Sequence, residues 1–284
     1  MSDWFRETLH RDYESGLRIE EVLFEAKSEH QHLLLFRNAT FGRVLTLDGV
    51  VQTTEADEFI YHEMLAHLPI LAHGGVERVL IIGGGDGGML EEVLKHRCVV
   101  QAVQVEIDAS VVDFAKTHLR AICGQAYEDP RTELVIADGL KYVAETERRF
   151  DLIIVDSTDP IGPGEVLFTE RFYADCKRCL SDGGILVTQN GVPFLQADEL
   201  SQTLRFFRRL FADTACYLAT VPTYAGGPMA FGWATDDTSL RSLPLETLQA
   251  RFSGAGIATR YYTPAVHLGA FALPPYIAEM VSRP

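Results

Sequence analysis

The chain has 284 residues, of which 47% are hydrophobic and 23% charged, and it carries a formal net charge of −15. That length can bury a core in one large domain or two smaller ones, and the charge argues against nucleic acids and anionic membranes as partners while suiting a small cationic ligand. No apolar run approaches membrane-spanning length, the first seven residues lack a secretory apolar core, and five scattered cysteines (Cys98, Cys123, Cys176, Cys179 and Cys216) agree with the cytoplasmic location expected from this.

Residues 1–65 read as a small strand-rich domain. A strand over 19–26, with Val22 and Phe24 on one face, precedes one over 32–36 and a turn over 38–42. Strands over 44–47 and 50–53 flank Asp48-Gly49, a two-residue hairpin signal. A helix over 55–73 leads into the second unit, residues 66–284. There, strands over 79–82, 102–106, 133–136, 152–156 and 185–189 alternate with helices such as 109–121, 169–180 and 196–211. This rhythm predicts a doubly wound parallel sheet. Two last strands, 215–221 and 228–234, have no helical stretch between them and read as an antiparallel pair at the sheet edge. The whole is a Rossmann-like, class I methyltransferase-type α/β fold. Cys176-Lys177-Arg178-Cys179 has C-x-x-C spacing but lies in a helical stretch without a second ligand pair, and His62 and His67 lack metal-ligand spacing, so no metal is expected.

The strand over 79–82 runs into Gly83-Gly84-Gly85-Asp86-Gly87-Gly88, and a helical pattern starts at Met89. Strand, glycine loop and helix form a nucleotide cradle. The spacing of Gly83, Gly85 and Gly88 fits the dinucleotide fingerprint, so spacing alone does not choose the ligand. Asp86 does, because with Glu91 and Glu92 it would repel a pyrophosphate and welcome a sulfonium or an ammonium. Ligands in such sheets bind beyond the carboxyl ends of the strands. Glu106, with Asp108 after it, stands at one such end and can accept from ribose hydroxyls. Asp138-Gly139 follows the third strand, where a short acid can meet an adenine amino group. Asp156 ends the fourth and opens a Pro/Gly-rich segment to Gly164 that suits a lid or a plain connection. A single such aspartate is commonly a cap or turn residue; the shared rim is what favours function.

Several separated segments carry a resemblance in order. They are Leu47 to Glu55, Asp57 to Met64, the glycine loop with Asp86, Val105-Glu106-Ile107-Asp108, Asp138-Gly139, Asp156 to Gly164, Pro222 to Gly227, and Trp233-Ala234. The chain resembles the spermidine synthases, of the polyamine aminopropyltransferase family, over roughly residues 15–235; the segment from 237 to 284 contributes little to the likeness. The resemblance implies transfer of the aminopropyl group of decarboxylated S-adenosylmethionine to putrescine, giving spermidine and methylthioadenosine. It implies that Gln31, Glu106, Asp138, Gly139 and Pro163 hold the methylthioadenosine part over the loop of Gly83, Gly85 and Gly87, and that Asp86 holds the aminopropyl ammonium. His62, Asp159, Gln189 and Tyr224 would line the polyamine channel with Trp233 as a wall. Asp156 would be the base, assisted by Tyr61 and Gln52. Other members carry Gln where His62 stands. No cofactor is implied beyond the co-substrate, and a homodimer or homotetramer is expected. On the residues alone, Tyr61 and Trp233 also read as core and Gln31 as a solvent-facing strand residue. Another amine acceptor (cadaverine, agmatine or spermidine), an amine N-methyltransferase and a non-catalytic polyamine-binding protein are the competing readings.

Overall fold

A computed structural model describes residues 3–27, 31–158 and 166–282 of the chain. The N-terminal part is built of strands. β1 (Trp4–His10) and β2 (Tyr13–Arg18) form an antiparallel hairpin. β3 (Glu21–Lys27), β4 (His32–Asn38), β5 (Gly42–Leu47) and β6 (Val50–Thr54) form an antiparallel sheet in chain order. Asp48 and Gly49 turn β5 into β6 with φ of 49° and 81°, the mirror-image turn that matches strand twist. The sequence placed no strand before residue 19, because most of that stretch faces outward and, among its described residues, only Phe5 is buried. β3 also departs from expectation. A register shift between Val22 and Phe24 leaves Val22 exposed and lets Leu23 and Phe24 both pack inward, as a bulge does.

The remainder is wound about a larger sheet. In chain order it comprises α1 (Glu58–His73), β7 (Arg78–Gly83), α2 (Gly88–Leu94), β8 (Gln101–Glu106), α3 (Ala109–His118), α4 (Arg120–Cys123), β9 (Thr132–Ile136) and α5 (Gly139–Glu145). Then come β10 (Phe150–Asp156), α6 (Glu170–Arg178), β11 (Leu180–Gln189), α7 (Ala197–Leu210), β12 (Asp213–Ala219), β13 (Met229–Thr235), α8 (Leu245–Ala255), α9 (Pro264–Ala270) and α10 (Pro275–Ser282). The helix expected over 109–121 is two pieces, α3 and α4. Strand order is β12-β13-β11-β10-β7-β8-β9. β7 to β11 pair in parallel, and β13 runs antiparallel to both β11 and β12. This is the expected class I methyltransferase-type sheet, with β13 inserted beside β11 and β12 at the edge.

Strand alternation divides the core. Val79 and Ile81 face a cluster with α1 and α2, while Leu80 and Ile82 face one with α6 and α7. Cys176 and Cys179 are buried free thiols in the second cluster. The divide expected at residue 65 falls inside α1, which is buried from Ile60 to Ala72. Such a helix must find partners for its polar side chains. Glu63 accepts the backbone N–H groups of Arg260, Tyr261 and Tyr262 at 2.7–2.8 Å. Arg251 donates to the carbonyls of Leu71 and Ala72 at the other end. The C-terminal segment thus clamps the helix that carries Tyr61 and His62.

Candidate active site

Four parallel strands end on one rim. Gly83, Glu106, Asp156 and Gln189 are the last residues of β7, β8, β10 and β11. Beyond them lies a cavity of about 430 Å³. The glycine loop forms its floor, and Leu45, Leu47, Val50, Val51 and Gln52 of the small sheet cover it. Glu7, Leu9, His10 and Tyr13 of the β1–β2 hairpin and Tyr224 from the β12–β13 connection complete the lining.

The loop is glycine-rich because carboxylates crowd it. Gly83 and Gly84 adopt φ of 86° and 67°, which only glycine takes at little cost. A Cβ on Gly84 would stand 2.8 Å from Asp156 Oδ2, and one on Gly85 would stand 3.0 Å from Glu106 Oε2 and 2.8 Å from Val111 Cγ1. The backbone therefore passes between the two acids. The Gly84 N–H donates to the Asp156 carbonyl at 2.9 Å, and Gln104 Nε2 donates to the carbonyls of Gly83 and Gly84 at 2.9 and 2.6 Å. Tyr127 Oη donates to the Gly85 carbonyl at 2.9 Å. Sequence reasoning missed Gln104, although an amide in the middle of a buried parallel strand was a legible signal. Gly87, with φ of 80°, precedes α2 as its N-terminal cap and does not line the cavity.

At one end stands Glu106. Its Oε1 accepts the Asp108 N–H at 3.0 Å, yet burial outweighs that bond and lifts the carboxyl to about 7. Asp108 caps α3 through Ser110 and accepts Gln31 Nε2 at 3.2 Å, which brings Gln31 to the cavity wall. Gly139 lines the cavity, and a Cβ there would meet Ile82 Cγ2 at 2.5 Å. Asp138 is exposed and caps α5, accepting the Leu140 N–H at 2.8 Å; it does not line the cavity.

At the other end Tyr61 Oη donates to Asp156 Oδ1 at 2.6 Å. His62 Nδ1 lies 2.6 Å from Glu58 Oε2, and its Nε2 lies 3.7 Å from Asp86 Oδ2. Asp86 Oδ1 accepts the Gly88 N–H at 2.9 Å. Burial raises the Asp156 carboxyl to about 6; Asp86 adds to the rise, and His62 and Tyr61 oppose it. Burial likewise raises Asp86 and Tyr61. For His62, burial disfavours the cation, but Asp86, Glu58 and Asp156 together prevail and raise the imidazole to about 10. Tyr224 Oη donates to the Gln52 carbonyl, Gln52 Nε2 donates to the Val50 carbonyl at 3.3 Å, and Gln189 Oε1 accepts the Gly191 N–H at 2.9 Å. Asp159 and Pro163, and with them the body of the expected lid, lie outside the described residues.

Trp233 is a correction. It pairs with Val187, two positions inward from the Gln189–Phe231 pair at the rim, and it is fully buried. Its Nε1 donates to Asp213 at 3.1 Å and its ring meets Phe271 edge-on at 5.8 Å. It is a core residue and not a cavity wall.

The arrangement offers a carboxylate for a nucleoside, a glycine floor, and an acidic end built from Asp86, Asp156 and Glu58. Comparison with known proteins agrees with it. Residues 58–243 match the model of the spermine/spermidine synthase domain, and residues 3–55 match that of the spermidine synthase tetramerisation domain. The chain belongs to the spermine/spermidine synthase family. The resemblance read from its motifs is thereby borne out. A polyamine aminopropyltransferase of Ruegeria sp. (strain TM1040) is 59% identical over 98% of both chains. One from Pseudomonas syringae pv. tomato is 59% identical over 100% of this chain and 99% of its own. Among solved structures, a spermidine synthase in complex with the transition-state analogue AdoDATO superposes with a TM-score of 0.93 at 35% identity, covering 98% of this chain and 94% of that one. The spermidine synthase of Thermotoga maritima superposes with a TM-score of 0.90 at 34% identity over the same shares. Among the described residues no helix is long and apolar enough to cross a membrane.

Proposed function

We propose that this member of the family transfers the aminopropyl group of decarboxylated S-adenosylmethionine to putrescine, forming spermidine and methylthioadenosine. The observation that carries the reading is the polarity of the cavity: Glu106 stands at one end of the glycine floor, and Asp86 and Asp156 stand at the other. Glu106 accepts from the ribose hydroxyls, and Gln31 and Gly139 frame the nucleoside. Asp86 holds the aminopropyl ammonium. His62, Gln189 and Tyr224 line the diamine path.

The nucleophile must be a neutral amine, whereas an alkylamine titrates near lysine, about 10.4. Carboxylates around it favour the charged form. The sulfonium opposes them: two unit charges about 4 Å apart repel by roughly 4 kcal/mol at an effective dielectric near 20, about three pKa units. Asp156 takes the proton as the amine attacks the methylene beside sulfur, and Tyr61 and Gln52 steady the acid and the amine. Displacement at carbon needs nitrogen, carbon and sulfur in line, so positioning supplies much of the rate. No cofactor other than the co-substrate enters the proposal. The match to a tetramerisation domain over residues 3–55 favours a homotetramer over a homodimer.

A panel assay tests the reading. Methylthioadenosine should form from decarboxylated S-adenosylmethionine with putrescine at a higher kcat/KM than with cadaverine, agmatine or spermidine. Intact S-adenosylmethionine should bind more weakly, because its carboxylate would sit in a buried site beside like charges. Methylation of the amine by intact S-adenosylmethionine would overturn the proposal.

A further inference from the structure

The acidic end of the cavity contains a cation of its own. His62 is only 3% exposed, and carboxylates from three elements surround its ring. Glu58 on its own helix is 2.6 Å from Nδ1, Asp86 in the glycine loop is 3.7 Å from Nε2, and Asp156 at the end of β10 adds its charge. Tyr61 meets the ring edge-on at 5.3 Å. From α2 the ring faces Gly88, where a Cβ would lie 2.3 Å from Cε1, and Glu91 of the same helix adds to the negative field around Glu58. The two ring nitrogens are not equivalent. Nδ1–H is fixed by its bond to Glu58, whereas Nε2–H points at an acid beyond hydrogen-bond range. The neutral tautomer that keeps Nδ1–H is therefore ready-made.

We infer that the His62 imidazolium stands in for the substrate ammonium in the empty site, and that decarboxylated S-adenosylmethionine, on binding, expels the proton of His62 Nε2 to solvent. This rests on the aminopropyltransferase reading and adds a proton to its binding step. Two positive charges enter with the ligand, the ammonium and the sulfonium, and one leaves, so the release of the proton halves the positive charge that the site must take up. The vacated Nε2 lone pair and Asp86 Oδ2 then both accept from the ammonium. A new unit charge about 4 Å away weakens the proton affinity of the imidazole by roughly a thousandfold. The imidazole titrates at about 10 in the empty protein, so near pH 8.5 it starts protonated and ends neutral. In the empty enzyme the same cation holds Asp86 and Asp156 toward their ionised forms, since both are lowered by His62.

Calorimetry at pH 8.5, repeated in buffers of different ionisation enthalpy, counts the protons released. Methylthioadenosine, which lacks both the ammonium and the sulfonium, is the reference, and it cancels any contribution from Glu106. Decarboxylated S-adenosylmethionine should release close to one proton more than methylthioadenosine. Its affinity relative to methylthioadenosine should rise close to tenfold from pH 8 to pH 9. In His62→Gln both effects should vanish, and retained methylthioadenosine affinity certifies the fold. Equal release by the two ligands, a flat wild-type pH profile, or the same excess proton in His62→Gln overturns the inference and leaves the transferase reading intact. If decarboxylated S-adenosylmethionine does not bind at all, both fall. The wild-type proton count and pH profile decide the matter even if the variant does not fold.

Discussion

Asp156→Asn separates a base from a ligand anchor. Asn keeps the shape of Asp and can still receive Tyr61 Oη, which is 2.6 Å from Oδ1 in the wild type. Packing around Gly84, whose added Cβ would lie 2.8 Å from Oδ2, is also preserved. What is lost is a proton acceptor and one negative charge. Loss of a general base costs roughly 10²–10⁴ in kcat, about 2.7–5.5 kcal/mol of activation free energy. The pH profile gives a second signature. The wild-type carboxyl sits at about 6 through burial in the empty protein, so it is protonated and useless as a base below that value. The sulfonium favours the ionised form, so kcat/KM for putrescine, measured at saturating decarboxylated S-adenosylmethionine, should fall as pH drops through an acid limb at or below pH 6. In Asp156→Asn that limb disappears. Tyr61→Phe removes the hydrogen bond that stabilises the carboxylate, worth about 1.5–3 kcal/mol for a charged acceptor, and should move the limb upward by about one to two pH units. Turnover of Asp156→Asn within tenfold of wild type, with the limb unchanged, would refute the assignment and leave Tyr61 or a water as the base.

Glu106→Gln should weaken methylthioadenosine binding about 10- to 150-fold with a smaller loss of saturated kcat, read by calorimetry and steady-state kinetics. Because burial holds Glu106 at about 7, the wild-type affinity for methylthioadenosine should decline as pH falls below 7 and the acceptor becomes protonated, a slope absent from the variant. Gly84→Ala combines a positive φ of 67° with a Cβ 2.8 Å from Asp156 Oδ2; it should cost about 1–2 kcal/mol of stability by urea unfolding and a larger share of kcat, because the acid must move. His67 and His96, 2.9 Å apart and buried, are each held down to about 3 by burial. The unfolded chain binds protons at these sites from about pH 6.5 downward while the folded one does not, so the melting temperature should fall steadily from pH 6.5 toward pH 4; a flat profile would argue that the pair stays hydrated.

Between residue 19 and about residue 235 the sequence alone determined most of the order of strands and helices, the glycine loop and the acids at strand ends, because those signals are local. A buried parallel strand is a short apolar run, its last residue is marked by the loop that follows, and Asp48-Gly49 declares its turn through backbone preference. Tertiary structure decided what depends on register and on distant partners. Trp233 lies near the end of a strand in the sequence, yet β13 enters the sheet antiparallel beside β11, so its ring sits two residues below the rim and packs on Phe271. Val22 turned outward because of a bulge that only pairing with β4 reveals. Asp138 and Glu106 looked alike as acids after strands; burial differs, and one caps a helix in solvent while the other faces the cavity. The β1–β2 hairpin, too polar to announce itself, reaches the cavity through long-range packing. His62 acquired its charge only when the fold brought Asp86 and Asp156, far away in the chain, to the helix that already held Glu58.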